Sequence, residues 1–161
     1  MTAELGSADL ATLDALRRTH FPPARNRLRA HLTLFHHLPP SVANELKTCL
    51  AAEARARPPR ATIARIRNLG QGTAFGIESA DLERIRSRLA DRFRTLLTPQ
   101  DAAGWHPHVT IQNKVSADEA RSLQRALAAD FQPRPLAITG LASWLYRDGD
   151  WEGFSRHAFR G

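Results

Sequence analysis

This chain repeats itself once along its length. His31-Leu-Thr-Leu-Phe-His-His-Leu-Pro-Pro-Ser41 leads into an apolar pattern of helical spacing at 42–53, and His108-Val-Thr-Ile-Gln-Asn-Lys-Val-Ser116 leads into another at 117–129. In both copies a serine follows where it can cap the first free backbone N–H groups of a helix. Ser116 with Glu119 spells a capping box, whereas Ser41, with Glu45 one residue too far, marks a weaker start. The parallel runs on. Residues 59–70 read as a strand reaching a Gly-Gln-Gly turn before 73–77, and 135–146 as a strand reaching an Asp148-Gly149 turn before 151–159. A helix precedes each half: Leu10, Leu13 and Leu16 mark the first. Leu82, Ile85, Leu89, Phe93 and Leu96 mark the second, which Thr98-Pro99 closes. Two equivalent α+β halves imply a pseudo-two-fold architecture, with antiparallel sheets lining a central cleft and helices outside. The expected layout is one bilobal domain over 1–161, with lobe one at about 1–78, lobe two at about 79–161 and a seam near 78–81. Exchange of strands between the lobes is left open.

The duplicated segment carries chemistry. On a strand, residues i and i+2 point the same way, so His31 and Thr33 share one face and Leu32 and Leu34 the other. The same holds for His108 and Thr110 against Val109 and Ile111. Aliphatic residues can then pack under helices while two imidazoles and two hydroxyls meet on the opposite side. Such a set suits phosphoryl transfer: a neutral imidazole removes a proton from the attacking oxygen and a protonated one donates to the leaving oxygen. The threonine hydroxyls can donate to the non-bridging oxygens, where charge builds in the transition state. One His-x-Thr is a chance occurrence in many proteins; two in matching contexts are the signal. The bland alternative is a pair of half-exposed strands with Thr present for its β-propensity.

Net charge is +7, and of 23 basic residues only Lys47 and Lys114 are lysine. Arginine suits bidentate phosphate recognition and a positive field concentrates phosphates. An Arg-rich composition equally describes solvated helix faces, so charge alone decides nothing. The single Cys49 excludes an internal disulfide and is read as a small core residue. No apolar run approaches the roughly 18 residues that span a bilayer, and residues 1–10 lack a basic signal region. The expectation is a cytoplasmic monomer with no membrane partner.

His31-Leu-Thr-Leu and Pro107-His-Val-Thr-Ile resemble the paired signatures of the 2H phosphoesterase superfamily, the group of 2′-5′ RNA ligases and cyclic phosphodiesterases. The resemblance covers nearly the whole chain. It implies a bilobal α+β fold with a basic cleft, no metal or other cofactor, and action on RNA or nucleotides carrying a 2′,3′-cyclic phosphate or a 2′-5′ linkage. By carry-over, His31 and His108 are the catalytic pair and Thr33 and Thr110 hold the phosphate. Chains of this kind usually open with an apolar strand; residues 1–6 are short and weakly apolar, so the first lobe is expected to lack a full one.

Further residues could border the cleft. Arg29, Gln112 and Lys114 continue the parity of the motifs, and His106 shares parity with His108. Arg65 and Arg67 alternate with Ala64 and Ile66 on a strand, which could line the cleft with cations. Among Phe75, Trp105, Trp144, Tyr146 and Trp151, Phe75 and Tyr146 lead as stacking surfaces for a base, because the two hairpins are equivalent in the repeat; core packing is the commoner role. His36 and His37 raise the question of a metal, but no Asp, Glu or Cys stands among the histidines at a familiar spacing, so they read as rim residues. His20 and His157 read as surface residues. Three readings stay open: a phosphoesterase, a non-catalytic RNA or nucleotide binder, and a histidine-rich metal hydrolase.

Overall fold

The computed structural model describes residues 1–147 and 150–161. The chain runs from β1 (Thr2–Leu5) and α1 (Ser7–His20) through β2 (Leu32–Thr33) and α2 (Ala43–Glu53) to a hairpin of β3 (Thr62–Asn68) and β4 (Gly72–Glu78). It continues with α3 (Ala80–Arg92), the short α4 (Pro99–Ala102), β5 (His108–Asn113), α5 (Ala117–Ala128) and β6 (Arg134–Pro135). A long hairpin of β7 (Ile138–Arg147) and β8 (Asp150–Ala158) ends it. The expected turn at Asp148-Gly149 lies outside the described residues. All described strands join one antiparallel sheet in the order β6-β3-β4-β5-β2-β1-β7-β8, which makes the fold α+β.

The two motif strands are neighbours at the middle of this sheet. Leu32 of β2 stands opposite Val109 of β5, and both are fully buried. Leu34, Ile111, Ile63, Ile77 and Leu141 are fully buried as well, and α1 packs against β5, α5 against β3 and β4, and α2 against β7 and β8. Each such aliphatic side chain contributes about 1.5–3 kcal/mol on leaving water. Arg88 and Arg92 of α3 pair with Glu53 and Glu45 of α2, joining the two helices over this layer.

The repeat is phased differently from the sequence reading. The unit β1-α1-β2-α2-β3 recurs as β4-α3-β5-α5-β7, so the second copy begins at Gly72, not near 78–81. The β3–β4 hairpin pairs with β5, and the β7–β8 hairpin pairs with β1. The opening strand, expected to be less than full, forms over Thr2–Leu5: Ala3 and Leu5 are buried, and β1 pairs with both β2 and β7. Ser41 is not a cap. It lies in a 3-10 turn at Pro40–Val42, and Val42 precedes α2 with no side-chain cap. Ser116 does form the full capping box with Glu119. Thr98-Pro99 opens α4 instead of closing α3: Thr98 accepts from the Asp101 N–H, and α3 has already ended before Phe93.

Candidate active site

Antiparallel pairing of Leu32 with Val109 sets Thr33 opposite His108 and His31 opposite Thr110, on the face away from the aliphatic layer. Each histidine therefore faces the other motif's threonine. The two histidines lie on a diagonal of the ladder, about 7–8 Å apart at the backbone. All four side chains are half-buried. Gly76 pairs with His108 and Ala74 with Thr110 on one flank, and Arg65 and Arg67 pair with Gly76 and Ala74 beyond them. On the other flank Thr2 pairs with Thr33, Ala142 with Thr2, and Arg156 with Ala142.

The imidazoles are held alike. His31 Nδ1 lies 2.8 Å from the Arg29 carbonyl, and His108 Nδ1 lies 2.8 Å from the His106 carbonyl. A carbonyl oxygen can only accept, so Nδ1 carries the proton in both rings and Nε2 is left for chemistry. Both rings titrate below the ordinary histidine range. For His31 the main cause is burial, which outweighs the Arg29 hydrogen bond and is reinforced by the charges of Arg17, the buried Met1 amino group and His108. For His108 burial again leads, against the His106 hydrogen bond, with Arg67, His36 and His106 adding repulsion.

Several neighbours support this pair. Arg17 of α1 is buried and donates to the Thr110 carbonyl at 2.7 Å and to Asn26 Oδ1 at 3.0 Å, fixing β5 from behind. Asp14 accepts from the Ala30 N–H at 2.5 Å and Arg29 Nε at 2.6 Å. Burial would raise the Asp14 carboxyl, but these hydrogen bonds and the charges of Arg29 and Arg18 hold it below the usual carboxylate range. Arg29 thus acts through its carbonyl on His31, while its exposed guanidinium is engaged with Asp14. On the far side Asp101 is buried and accepts from the His36 and His37 N–H groups and from His36 Nδ1, each within 3.0 Å. Arg86 of α3 donates to the Leu34 and Asp101 carbonyls and lies over the Phe35 and Trp105 rings.

Two bulges decide which side chains enter the cleft. In β3, Ile63 pairs with Ile77 and Arg65 with Gly76, so Ala64 is the extra residue and turns Arg65 and Arg67 to the cleft while Ile63 and Ile66 face the core. Arg65 lies across Gly76, where a Cβ would come within 2.9 Å of its Cγ, and Arg67 Nη1 donates to the His106 carbonyl at 3.1 Å. In β5, Thr73 pairs with Gln112 and Ala74 with Thr110, so Ile111 is extra and Gln112 turns away. The expectation that Gln112 extends the polar face is corrected: it is buried beside Thr73, whose hydroxyl bonds the Ala120 carbonyl of α5. Phe75 is likewise no cleft residue; it is buried and stacks on Phe131 with ring centres 6.0 Å apart.

The other residues distribute as follows. Tyr146 and Trp151 are exposed, with ring centres 5.1 Å apart. Trp105 Nε1 donates to the Thr33 carbonyl at 3.0 Å and Trp144 Nε1 to Thr2 Oγ1 at 2.9 Å. The His106 and Lys114 side chains are exposed, the latter with φ of 61°. His157 is not a free surface residue: it is half-buried, with Nε2 enclosed and without a hydrogen-bond partner among the described residues. Cys49 is partly buried against the core. Sequence reasoning passed over Arg17, Arg86 and Asp101. The first two look like any helical arginine, and Asp101 sat in a segment read as a helix end. Among the described residues no group of three or more His, Cys, Asp or Glu is arranged to hold a metal, and no helix is long and apolar enough to cross a membrane.

No curated protein matches the sequence. The model of a family described as the 2′-5′ RNA ligase superfamily matches residues 6–150, a span that includes both His-x-Thr strands. With that match added to paired strands that carry two equivalently held histidines, the chain belongs to the 2′-5′ RNA ligase superfamily, the 2H phosphoesterases.

Proposed function

We propose that the protein is a metal-independent phosphoesterase acting on RNA or nucleotide ends with a 2′,3′-cyclic phosphate or a 2′-5′ linkage, with His31 and His108 as its acid–base pair. One observation carries this reading: both rings give Nδ1–H to a carbonyl two residues upstream, so both present Nε2 to one cleft across the same two strands. In hydrolysis of a cyclic phosphate, one neutral imidazole takes the proton of the attacking water as its oxygen bonds to phosphorus. The protonated partner gives its proton to the ribose oxygen as the P–O bond breaks. Diagonal placement suits attack and departure on opposite sides of phosphorus. Thr33 and Thr110 donate to the two non-bridging oxygens. Ligation uses the same two proton transfers with a ribose hydroxyl in place of water. The two lobes act as one bilobal domain around this cleft.

The test is to incubate chelator-treated protein with a 2′,3′-cyclic nucleotide and with a short RNA ending in that group. His31→Ala and His108→Ala run in parallel. Turnover that survives chelator and falls at least about 100-fold in both variants is expected, the size usual for a positioned acid or base. A folded His108→Ala protein with full activity would overturn the assignment. Salt-sensitive RNA binding with no product from any phosphodiester tried would favour a binding module instead.

A further inference from the structure

A cavity of about 530 Å³ opens between the 36–44 segment and the β7–β8 hairpin, lined among others by Phe35, His36, Trp144, Tyr146 and Trp151. Its volume falls within the range of small-molecule sites. It adjoins the four-residue site through one short relay: Thr2 pairs with Thr33, and Trp144, which lines the cavity, donates to the Thr2 hydroxyl at 2.9 Å. Tyr146 and Trp151 are 64% and 44% exposed, so two large rings stand in water beside the cavity, tilted at 53° to each other. Cationic side chains are distributed unevenly about the histidines. Arg65 and Arg67 stand on the His108 flank, whereas at the corresponding places of the other flank β7 carries Gly140 and Ala142. Arg147 lines the cavity itself and stands 3.8 Å from Glu152, and Arg156 lies 3.4 Å from Glu4 and over the Trp144 ring, so each is already paired with a carboxylate. Arg65 is paired with Glu78 in the same way, but among the described residues Arg67 donates only to the His106 carbonyl, so a charged chain is drawn toward Arg67 of β3 and the aromatic flank is left for a flat, uncharged group. His36, whose Nδ1–H is held by Asp101, turns Nε2 outward at the rim.

From this arrangement we propose that the cavity is a nucleobase subsite: the base of the nucleotide bearing the reacting phosphate stacks on Tyr146 and Trp151 while the phosphodiester chain runs toward Arg65 and Arg67. The inference rests on the phosphoesterase reading and names the part of the substrate that this side of the cleft selects. Stacking on an aromatic face is tolerant of base identity, so the subsite favours nucleotides over other cyclic phosphates more than one base over another.

Calorimetry with adenosine 3′-monophosphate and with the base-less methyl riboside 3′-phosphate tests it. The intact protein should bind the nucleotide on the order of tenfold more tightly than the base-less compound, as loss of one stacking contact implies. In a Tyr146→Ala/Trp151→Ala double variant the nucleotide's affinity should fall to that of the base-less compound. Equal binding of the two compounds by the intact protein, no binding of either, or an advantage that survives in the double variant would each overturn the subsite. Turnover is scored separately on cyclic nucleotides. Base-dependent binding without turnover would sink the catalytic reading and leave the subsite standing; turnover without base-dependent binding would do the reverse.

Discussion

At the scale of single residues, the two imidazoles are held through backbone carbonyls. Arg29 and His106 contribute their C=O groups to orient His31 and His108, and a substitution of either side chain leaves that bond available. The lowered titration of both rings has a sign that can be read in a rate profile. In the proposed mechanism the base is neutral, so activity rises as pH climbs through its pKa, and the acid is protonated, so activity falls through its own. Both values lie below the ordinary one, and the bell in kcat/KM should peak below about pH 6.5. Arg67→Gln removes a positive charge that depresses His108, so the limb belonging to His108 should move to higher pH while the other stays. A profile in which neither limb moves would show that Arg67 does not act on His108.

At the scale of elements, the two copies of the repeat are built with unequal local devices. Ser116→Ala should cost about 1 kcal/mol because it dismantles a capping box at α5. Ser41→Ala should fall within about 0.5 kcal/mol of the parent, since Ser41 caps nothing. Thermal melts of the two variants side by side check the contrast. Helices and hairpins were legible because their apolar spacing, capping residues and turn glycines are local signals. Two points were not legible, and both concern strand faces. Parity counting carried Gln112 into the cleft, and only the extra Ile111 in the β5 ladder reverses it. Parity alone would put Ile63 on the face of Arg65 and Arg67; the extra Ala64 separates them. A bulge is defined by the partner strand, so a chain read alone does not display it. Asp101 escaped for a similar reason. Its donors, His36 and His37, are more than sixty residues away. Equivalence of the two hairpins set Phe75 beside Tyr146 as a stacking surface; its small neighbours Ala74 and Gly76 face the cleft beneath Arg67 and Arg65, and the ring points the other way.

At the scale of the whole molecule, each half of the sequence supplies a hairpin strand to the other half's sheet. β3 lies beside β4 and β5, and β7 lies beside β1 and β2. Fragments 1–71 and 72–161 should accordingly show little ordered structure by circular dichroism when separate and recover it on mixing. Independent folding of either would mean that the exchanged strands are dispensable. The join between the two halves of the sheet is also its shortest ladder, one register pair between β2 and β5. A slip of two residues there would keep the aliphatic side chains inside and yet carry His31 about 7 Å along β5. The spacing between the two imidazoles is therefore gauged by a single rung of backbone. Hairpins and helices farther out can lengthen, shorten or change sequence while that gauge keeps its setting.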